Sequence, residues 1–372
     1  MAVADIIVIG AGVVGLATAL KLKTIFPDKK VVVLEKNGHP FTEASRFNSG
    51  VIHSGIHQKP EFLKSKLARQ GGPMLIDFCE KNEVPFRKSG MLIAVAPEDL
   101  LGLWSEAKLL RLLYKNSRQQ KIPLQFLTGR QIKRLEPNVR AAFGLYLPEI
   151  FVVDQIELGR KLLEAAKGKR VEFIFNTEIS AIRRRRKTYE LVFDKQSLDA
   201  ETVVNSAGIN ADRIANLAGF KKYNIFPYRG EYYEIIGKKS ELICSVLVYP
   251  ALRPGHPVKG IHLTKTADGR LLIGPNVSSW PKKEDDFSVR TPPKEFLKAA
   301  GKFLPDLEIS DLRWAYSGLR AKINPGVDED DFVIKCEARN PTFINLVGIE
   351  SPGLTASFAI AEEVARLIDD VA

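Results

Sequence analysis

The fold is decided by residues 5–35, which read DIIVIGAGVVGLATALKLKTIFPDKKVVVLE. The stretch begins with an apolar, β-rich run that ends at the sequence GAGVVG. A helical periodicity follows, and Pro27 and Asp28 end it. The last residues, KVVVLE, have the apolar and β-branched character of a buried strand. The stretch therefore predicts a strand, a helix and a second strand in one βαβ unit.

Three glycines in this unit have separate tasks. Gly10 allows the tight turn, Gly12 lets the backbone approach a pyrophosphate, and Gly15 permits close packing of the helix on the strand. Glu35 ends the second strand, where its carboxylate can accept hydrogen bonds from both ribose hydroxyls of an adenosine and repels a 2′-phosphate. In this context the pattern predicts a Rossmann-like dinucleotide-binding domain, but it does not separate NAD from FAD.

Length and composition are those of a globular protein with two domains. The chain has 372 residues, of which 45% are hydrophobic, enough for a sizeable core in each domain. The N-terminal run has no basic leader and soon becomes glycine-rich, so neither a signal peptide nor a membrane span fits. Cys79, Cys244 and Cys336 are far apart and lack metal-site spacing, which favours core thiols and a reducing compartment. We therefore expect a cytoplasmic protein.

The chain carries an excess of positive charge. Its 55 Lys and Arg against 44 Asp and Glu give a formal net charge of +11. Such an excess occurs in proteins that meet nucleic acid, an anionic membrane surface or acidic substrates. The densest run, RRRRK at residues 183–187, lies between two strand-like segments without interleaved aromatic residues. The run predicts a solvated hairpin turn, and we expect no nucleic-acid partner. Peripheral contact with a membrane stays open.

Two later segments have the small residues expected of further nucleotide contacts. Residues 201–212, ETVVNSAGINAD, form an apolar strand that runs into a turn at Ser206, Ala207 and Gly208, where bulky side chains would block FAD in flavoprotein oxidoreductases. Residues 341–368 give a strand, a Gly/Ser/Pro turn and a closing helix, whose N-terminus can aim backbone N–H groups at the negative charge of a reduced flavin. The sequence has no second GxGxxG, so electrons are expected to enter from an organic substrate.

Together these motifs resemble the D-amino-acid oxidase superfamily of FAD-dependent oxidoreductases, and most closely its L-2-hydroxyglutarate dehydrogenase/oxidase family. The segments GAGVVGLA, NSGVIHSGI, YRGEYYEI, GIHLT with GPN, YSGLRAKI and GIESPGLTAS occur in the family's order over essentially the whole chain. The first is shared by the superfamily, whereas NSGVIHSGI and GIESPGLTAS are much more specific. The resemblance implies FAD as the cofactor, a small-molecule 2-hydroxy acid as the substrate, and the oxidation of L-2-hydroxyglutarate to 2-oxoglutarate as the reaction.

The resemblance also implies which residues contact FAD. In this superfamily the loop after the Glu-bearing strand passes over the flavin, so residues 45–56 are expected at the isoalloxazine and the ribityl chain, mostly through their backbone. The expected cofactor-binding residues are Gly10, Gly12, Val13, Val14, Gly15, Glu35, Lys36, Ser45, Arg46, Asn48, Ser49, Gly50, Val51, Ile52, His53, Ile179, Ser206, Ala207, Gly208, Gly318, Leu319, Ser351, Pro352, Gly353, Leu354 and Thr355.

Removing the proton of a substrate hydroxyl requires a base whose pKa is near the working pH, and histidine is the first candidate. Of the five histidines, His39 and His256 sit in turn-like segments beside proline, and among the other three the candidates are His53 and His262. His262, in the alternating strand KGIHLTKT, is favoured as the base, with His53 at the flavin in support. An inward packing role for His262 stays open.

His57 departs from the family, which commonly has tyrosine there, so a solvent-facing role and a substrate contact stay open. Zinc is the poorest interpretation of His53 and His57, because neither a nearby cysteine nor an HExxH motif supplies further ligands, and no metal site is expected. Ala321 replaces a proline of the family, and Ile150 and Phe151 replace a small segment. These departures leave the chain length of the substrate open.

A substrate carboxylate calls for arginine, whose bidentate geometry lysine does not reproduce. Arg320 in YSGLRAKI resembles the superfamily's arginine near the C-terminal flavin turn, and Arg229 in PYRGEYYEI opens a strand of the presumed substrate domain. A five-carbon dicarboxylate would use both, one for each carboxylate. An ordinary surface role stays open for each arginine.

The order of the motifs predicts an α/β chain (α+β overall) with two domains. The nucleotide motifs occur at both ends and in the middle, so the FAD-binding domain is discontinuous and takes residues 1–82, 150–220 and 316–372. The substrate domain takes residues 83–149 and 221–315. It comprises a helical insertion and a smaller, mainly antiparallel β-sheet that roofs the flavin.

A second class of function stays open. An FAD-dependent amine oxidase acting on glycine, sarcosine or a D-amino acid belongs to the same superfamily and does not need a strong base. The sequence also leaves the electron acceptor open, and the three alternatives are oxygen, a quinone and a partner flavoprotein.

Overall fold

Two large β-sheets and the helices around them form the protein. This computed structural model describes residues 3–251, 260–325 and 330–369, apart from the side chains of residues 100–107. His256, assigned to a turn from the sequence, lies outside the described residues. In the described part of the chain, no helix combines the length and the apolar character needed to cross a membrane.

Along the chain, helices separate runs of one to five strands. The strands are β1 (Val3–Ile9), β2 (Val31–Leu34), β3 (Val51–Ile52), β4 (Phe86–Lys88), β5 (Met91–Val95), β6 (Gln125–Thr128), β7 (Phe143–Leu147), β8 (Phe151–Val153), β9 (Glu172–Ile174), β10 (Ile179–Arg184), β11 (Tyr189–Phe193), β12 (Gln196–Asn205), β13 (Phe226–Ile235), β14 (Leu247–Pro250), β15 (His262–Lys265), β16 (Leu271–Gly274), β17 (Ser278–Ser279), β18 (Leu312–Lys322), β19 (Val333–Ala338) and β20 (Thr342–Val347). The helices are α1 (Val13–Ile25), α2 (Leu63–Lys81), α3 (Leu103–Gln120), α4 (Gly129–Leu135), α5 (Gln155–Gly168), α6 (Ala211–Leu217), α7 (Pro293–Ala300) and α8 (Gly353–Asp369).

The first sheet contains the dinucleotide motif. β1 pairs in parallel with β2 on one side and β12 on the other, and β9 and β20 continue the parallel order outward. The hairpin β10–β11 adds to the first half of β12, and β19 pairs with β20. The residues of β2 are all buried, as a parallel strand between layers of packed elements requires. The predicted βαβ unit and the Rossmann-like fold are confirmed.

Helices cover the first sheet because its strands are apolar on both faces. α1, α2, α5 and α8 pack on one face in a continuous cluster that includes Val8, Leu16, Leu75 and Ile360. On the other face, the β10–β11 hairpin and α6 enclose a second cluster around Phe343. These two cores fix the ends of the parallel strands, where ligands of α/β sheets bind.

The second sheet is mainly antiparallel, as predicted. Its order is β17-β13-β16-β15-β14-β5-β7-β6, with β18 along the free edge of β13. Only the β14–β5 pair is parallel among the pairs described. Its core packs against α7 through residues such as Leu263, Ile273 and Phe296. The predicted helical insertion is α3, between β5 and β6.

The strand pairing favours a different position for one predicted border between domains. Residue 316 was expected to begin the last part of the FAD-binding domain, but it lies inside β18. That strand pairs with β13 from Phe226 opposite Lys322 to Ile235 opposite Leu312. A backbone hydrogen-bonded over this length belongs to the second sheet, so we propose that the border follows Lys322. A small third sheet, β3-β8-β4, connects segments of the two predicted domains.

Two smaller predictions have different outcomes. The basic run 183–187 forms the end of β10 and the turn before β11, where Arg183 and Arg185 both pair with Glu190, so the hairpin prediction is confirmed. The prediction that all three cysteines are core thiols is wrong for Cys244, which is exposed. Its backbone N–H donates to the buried carboxylate of Glu136, so the chain turns its amide inward and its side chain outward.

Candidate active site

A cavity of about 1160 Å³ lies between the two large sheets. It exceeds the roughly 300–1,000 Å³ of pockets that hold drug-sized ligands, so it has room for a dinucleotide beside a small substrate. Its walls come from the turn after β1, the loop before β3, the turn after β12, the strands β13, β14, β15 and β18, and the start of α8.

One end of the cavity is the glycine turn between β1 and α1. Gly10 has φ +97°, and a side chain there would come within 2.7 Å of the Ser206 carbonyl oxygen. A Cβ on Gly15 would lie 1.9 Å from the carbonyl oxygen of Gly10, so only glycine lets the helix pack this closely on the turn. Gly12 faces the hydroxyl of Ser45, which accepts a hydrogen bond from the Val13 N–H at 2.9 Å. The turn is therefore a narrow backbone cradle.

The carboxylate of Glu35 is fixed beside this cradle. It accepts hydrogen bonds from the N–H of Ala11 at 2.8 Å and from the N–H of Asn37 at 2.9 Å, and it lines the cavity at the end of β2. Each carboxylate oxygen keeps a further lone pair for a donor. This set of acceptors fits the two hydroxyls of a ribose.

The loop before β3 is held against the second sheet. The side-chain amide of Gln155 donates to the carbonyl oxygens of Arg46 and Asn48, both at 3.2 Å. The Tyr316 hydroxyl donates to the same Asn48 oxygen at 2.8 Å. On β18, a Cβ at Gly318 would come within 2.5 Å of the Phe47 carbonyl oxygen. Close contact between loop and strand therefore requires glycine at this position.

The N-terminus of α8 forms the opposite wall. Residues 351–355 line the cavity, and the Thr355 hydroxyl is completely buried. That hydroxyl accepts a hydrogen bond from the His53 N–H at 3.0 Å and donates to the Val51 carbonyl oxygen at 3.4 Å. The loop and the helix are thus joined through one side chain. The first N–H groups of a long helix attract negative charge.

Most of the predicted cofactor-binding residues line this cavity. They are Gly10, Gly12, Val13, Val14, Glu35, Lys36, Ser45, Asn48, Ser49, Val51, His53, Ile179, Ser206, Ala207, Gly208, Gly318, Leu319, Ser351, Pro352, Gly353, Leu354 and Thr355. Gly15, Arg46, Gly50 and Ile52 do not line it. Gly15 packs on Gly10, Gly50 faces the Val153 carbonyl oxygen, Ile52 is in the core, and Arg46 points to solvent.

Three histidines meet at the other end of the cavity. His57 stacks on Tyr249 with ring centroids 6.0 Å apart, and Tyr249 stacks on His262 at 3.8 Å. Burial lowers the pKa of His53 to about 3, with smaller contributions from the charges of His57 and Arg320. Burial also lowers the pKa of His262 to about 3, whereas the side chain of His57 is exposed. The rings of His53 and His262 are therefore neutral at neutral pH.

His53 and His262 differ in how accessible their rings are to a ligand in the cavity. His262 is 7% exposed, its Nδ1 contacts the Gly260 carbonyl oxygen, and its Nε2 is enclosed with no hydrogen-bond partner among the described residues. His53 is half-buried and lines the cavity at the end of the loop. A ligand in the cavity can therefore reach His53 more directly than the enclosed Nε2 of His262.

Arg320 is the arginine that faces the histidines. It lies on β18, lines the cavity, and has Nη1 3.8 Å from Oε2 of the buried Glu350. That oxygen has no hydrogen-bond partner in the described part of the chain. At this distance the guanidinium is held by charge rather than by a direct hydrogen bond. Its donors stay available to an anionic ligand.

Arg229 does not have the predicted position, although β13 does border the cavity. Its side chain is 1% exposed and outside the cavity wall. Nε donates to Asp285 at 2.6 Å, Nη2 donates to Ser317 at 2.8 Å, and Nη1 lies 3.1 Å from Glu231. These contacts, with a further one from Nη2 to the Asp286 carbonyl oxygen, direct most of its N–H donors at protein groups. The structure therefore does not bring Arg229 together with Arg320 at the cavity wall, and its role as a carboxylate ligand stays a prediction that this position does not favour.

The architecture agrees with a known enzyme family. The family model for FAD-dependent oxidoreductases matches residues 5–367, almost the whole chain. The chain belongs to this family. The mitochondrial L-2-hydroxyglutarate dehydrogenase of Arabidopsis thaliana is 32% identical to this oxidoreductase over 97% of the chain and 83% of the relative. The glycerol 3-phosphate dehydrogenase of Caloramator mitchellensis is 30% identical over 99% of the chain and 74% of the relative.

A solved structure shows the same fold with cofactor. The L-α-glycerophosphate oxidase of Mycoplasma pneumoniae, solved with FAD bound, superposes with a TM-score of 0.89 at 28% identity and covers 99% of this oxidoreductase and 95% of its own chain. FAD is the cofactor of this family. The residues here fit it, because the glycine cradle leaves space for a pyrophosphate and Glu35 supplies acceptors for a ribose.

Sequence reasoning missed several residues of this oxidoreductase's cavity. Tyr249 and Tyr232 line it, but both read as ordinary strand tyrosines in the sequence. Burial raises the pKa of each hydroxyl. On α3, the cavity wall consists of Leu109, Leu112, Leu113 and Asn116. These four residues are separated by three, one and three positions, which places them on one face of a helix. This periodicity is the signal in the sequence that could have predicted a helix face lining the ligand cavity.

No metal centre is found in the part of this oxidoreductase that the structure describes. Among those residues, no three His, Cys, Asp or Glu side chains are grouped to hold an ion. His53 and His57 belong to the cavity wall instead.

Proposed function

We propose that this oxidoreductase oxidises the C2 hydroxyl of a small anionic 2-hydroxy acid, with L-2-hydroxyglutarate as the first candidate. The observation that carries the proposal is the meeting of neutral histidines with one available arginine at the same end of the FAD cavity. The similarity to L-2-hydroxyglutarate dehydrogenases supports the choice of substrate.

The proton of the substrate hydroxyl goes to a histidine. The sequence favoured His262, but its Nε2 is enclosed and its ring is stacked on Tyr249. We therefore reverse the predicted roles, so that His53 takes the proton and His262 supports the wall. Low polarity keeps His53 neutral before the substrate arrives, and a bound anion then stabilises the protonated imidazole.

The carboxylate beside C2 is bound by Arg320. Its guanidinium offers paired donors, and the long contact with Glu350 holds it at the cavity wall without using those donors. When bound, FAD accepts the C2 hydrogen with its electron pair. The substrate loses one hydride and one proton, so its secondary alcohol becomes a ketone.

A second candidate, glycerol 3-phosphate, is also favoured by specific observations. It is a secondary alcohol with one anionic group, and Arg320 alone can serve that group. The distal carboxylate of L-2-hydroxyglutarate was expected at Arg229, which lies outside the cavity wall and is bound to Asp285 and Ser317. The similarities to a glycerol 3-phosphate dehydrogenase and an L-α-glycerophosphate oxidase also support this candidate.

The deciding experiment is anaerobic mixing of the flavin-loaded protein with L-2-hydroxyglutarate, its D-enantiomer, L-lactate, glycerol 3-phosphate, glycine and sarcosine. Loss of oxidised-flavin absorbance is followed for each. We expect rapid bleaching by L-2-hydroxyglutarate and not by its D-enantiomer. Bleaching by glycerol 3-phosphate alone would replace the first candidate with the second. Bleaching by an amine alone would contradict both and favour the amine-oxidase alternative.

The electron acceptor and the cellular location belong to the same proposal. Reoxidation of the bleached protein by oxygen, by a soluble quinone analogue or by an oxidised flavoprotein distinguishes the three acceptors left open by the sequence. We propose a cytoplasmic protein, and its net charge of +11 supports peripheral contact with an anionic membrane. Sedimentation with anionic but not with neutral vesicles is the expected result for that contact.

A further inference from the structure

Arg229 has no part in the proposed chemistry, yet it is among the most deeply buried side chains described. Three of its partners, Trp280, Asp285 and Asp286, lie on one segment, residues 280–291, which follows β17 and is called the strap below. Lys283, Glu284, Asp285 and Phe287 of the strap line the cofactor cavity. The buried arginine and the cavity are thus connected through the strap.

The strap is anchored firmly to the second sheet. The Arg229 guanidinium donates to Oδ1 of Asp285 at 2.6 Å and to the Asp286 carbonyl oxygen at 3.2 Å, and it lies 4.7 Å from the centre of the Trp280 ring. The buried Glu231, the ion-pair partner of Arg229, accepts a hydrogen bond from the Thr291 N–H at 3.1 Å. One buried ion cluster therefore holds both ends of the strap.

Across the cavity, the contacts of the strap are fewer and more exposed. The Lys283 ammonium pairs with Asp212 on α6, and 26% of the lysine side chain is exposed. The Phe287 ring meets the edge of Phe47 in the loop before β3, with centroids 5.2 Å apart. The strap thus connects the second sheet with α6 and with the loop before β3.

We infer that Arg229 is a positioning residue that holds the strap over bound FAD, and that Lys283 and Phe287 close the strap against the first sheet so that FAD is retained. The inference follows from the asymmetry of the contacts. A buried anchor on one side and a partly buried ion pair on the other, in which Lys283 keeps about a quarter of its side chain exposed, allow the strap to open at Lys283 while it stays attached at Arg229. It concerns the cofactor and does not depend on which substrate is oxidised.

The test is the rate of FAD dissociation from the holoenzyme, followed as the rise of free-flavin fluorescence after dilution. We expect about a threefold faster release for Lys283→Gln, the range of an ion pair that is partly open to solvent, and a similar change for Phe287→Ala. Lys283→Arg should restore slow release. Raising the salt concentration should accelerate release from the native protein, because the ion pair is screened, but should change the Lys283→Gln variant little.

The anchor is tested with Asp285→Asn, which removes charge from the strap and leaves Arg229 paired with Glu231. We expect faster FAD release with an unchanged melting temperature of the apoprotein. Lys88→Gln, which breaks an exposed pair with Glu149 outside the cavity wall, is the matched control and should release FAD as the native protein does. Unchanged release in Lys283→Gln and Phe287→Ala, or the same acceleration by salt in Lys283→Gln as in the native protein, would overturn the inference.

Discussion

At His53, burial in the cavity wall sets the protonation state that the proposed reaction needs. The neutral imidazole accepts the proton, and a lowered pKa keeps it neutral as the pH falls, so activity is lost only when the pH approaches the lowered value of about 3. We therefore expect kcat/KM for L-2-hydroxyglutarate to stay constant from about pH 7 down to about pH 5, with no acidic limb near 6.5, the pKa of an ordinary histidine. A pH–rate profile of the FAD-loaded protein provides the measurement.

Two controls make this profile decisive. Flavin absorbance at each pH shows that the cofactor is retained, and His57→Gln tests whether the neighbouring ring adds a titration of its own. His53→Gln should slow flavin reduction by a factor of about 10²–10⁴, as loss of a general base does. A limb near pH 6.5 in the native protein, or undiminished reduction in His53→Gln, would contradict the role of this residue.

Among the elements, α8 and the loop before β3 are joined by the Thr355 hydroxyl. Thr355→Val keeps the shape of the side chain but removes the acceptor for the buried His53 N–H. An unsatisfied buried donor costs about 1–3 kcal/mol. We expect the free energy of unfolding to fall by that amount and flavin reduction to slow, because His53 loses its fixed backbone. Urea unfolding and stopped-flow reduction of the holoenzyme measure the two effects.

The matched control for Thr355→Val is Thr24→Val on α1. Thr24 is exposed, and its hydroxyl donates to the Leu20 carbonyl oxygen within the same helix. An exposed substitution of this kind changes stability by less than about 0.5 kcal/mol. An equal fall in the free energy of unfolding of the two variants would mean that replacing a hydroxyl with a methyl group causes the effect. The connection between α8 and the loop through Thr355 would then not be its cause.

The elements also show what the sequence could and could not predict. The glycine turn and Glu35 were predictable, because their geometry depends on neighbours within one βαβ unit. The partners of Arg229 were not, since Asp285 lies 56 residues further along the chain and no local pattern marks it. The stack of Tyr249 on His262 likewise depends on the pairing of β14 with β15. Local rules thus predicted the cradle, and tertiary pairing decided the substrate end.

For the whole molecule, we expect bound FAD to connect the two sheets, because residues of both line the cavity. ADP shares only the adenosine and pyrophosphate half, so it should protect the turn at residues 9–15 and Glu35 from hydrogen exchange. FAD should also protect residues 45–53 and the β18 residues 318–322, because most of these residues line the cavity. With either ligand at about 100 times its Kd, the free energy of unfolding rises by about 2.7 kcal/mol. The comparison therefore concerns which residues are protected and not how much protection there is in total. Hydrogen-exchange mass spectrometry of the apoprotein and both complexes supplies the comparison. Equal protection of β18 by ADP would mean that the adenosine half alone orders the second sheet, and the connection through bound FAD would then have no role.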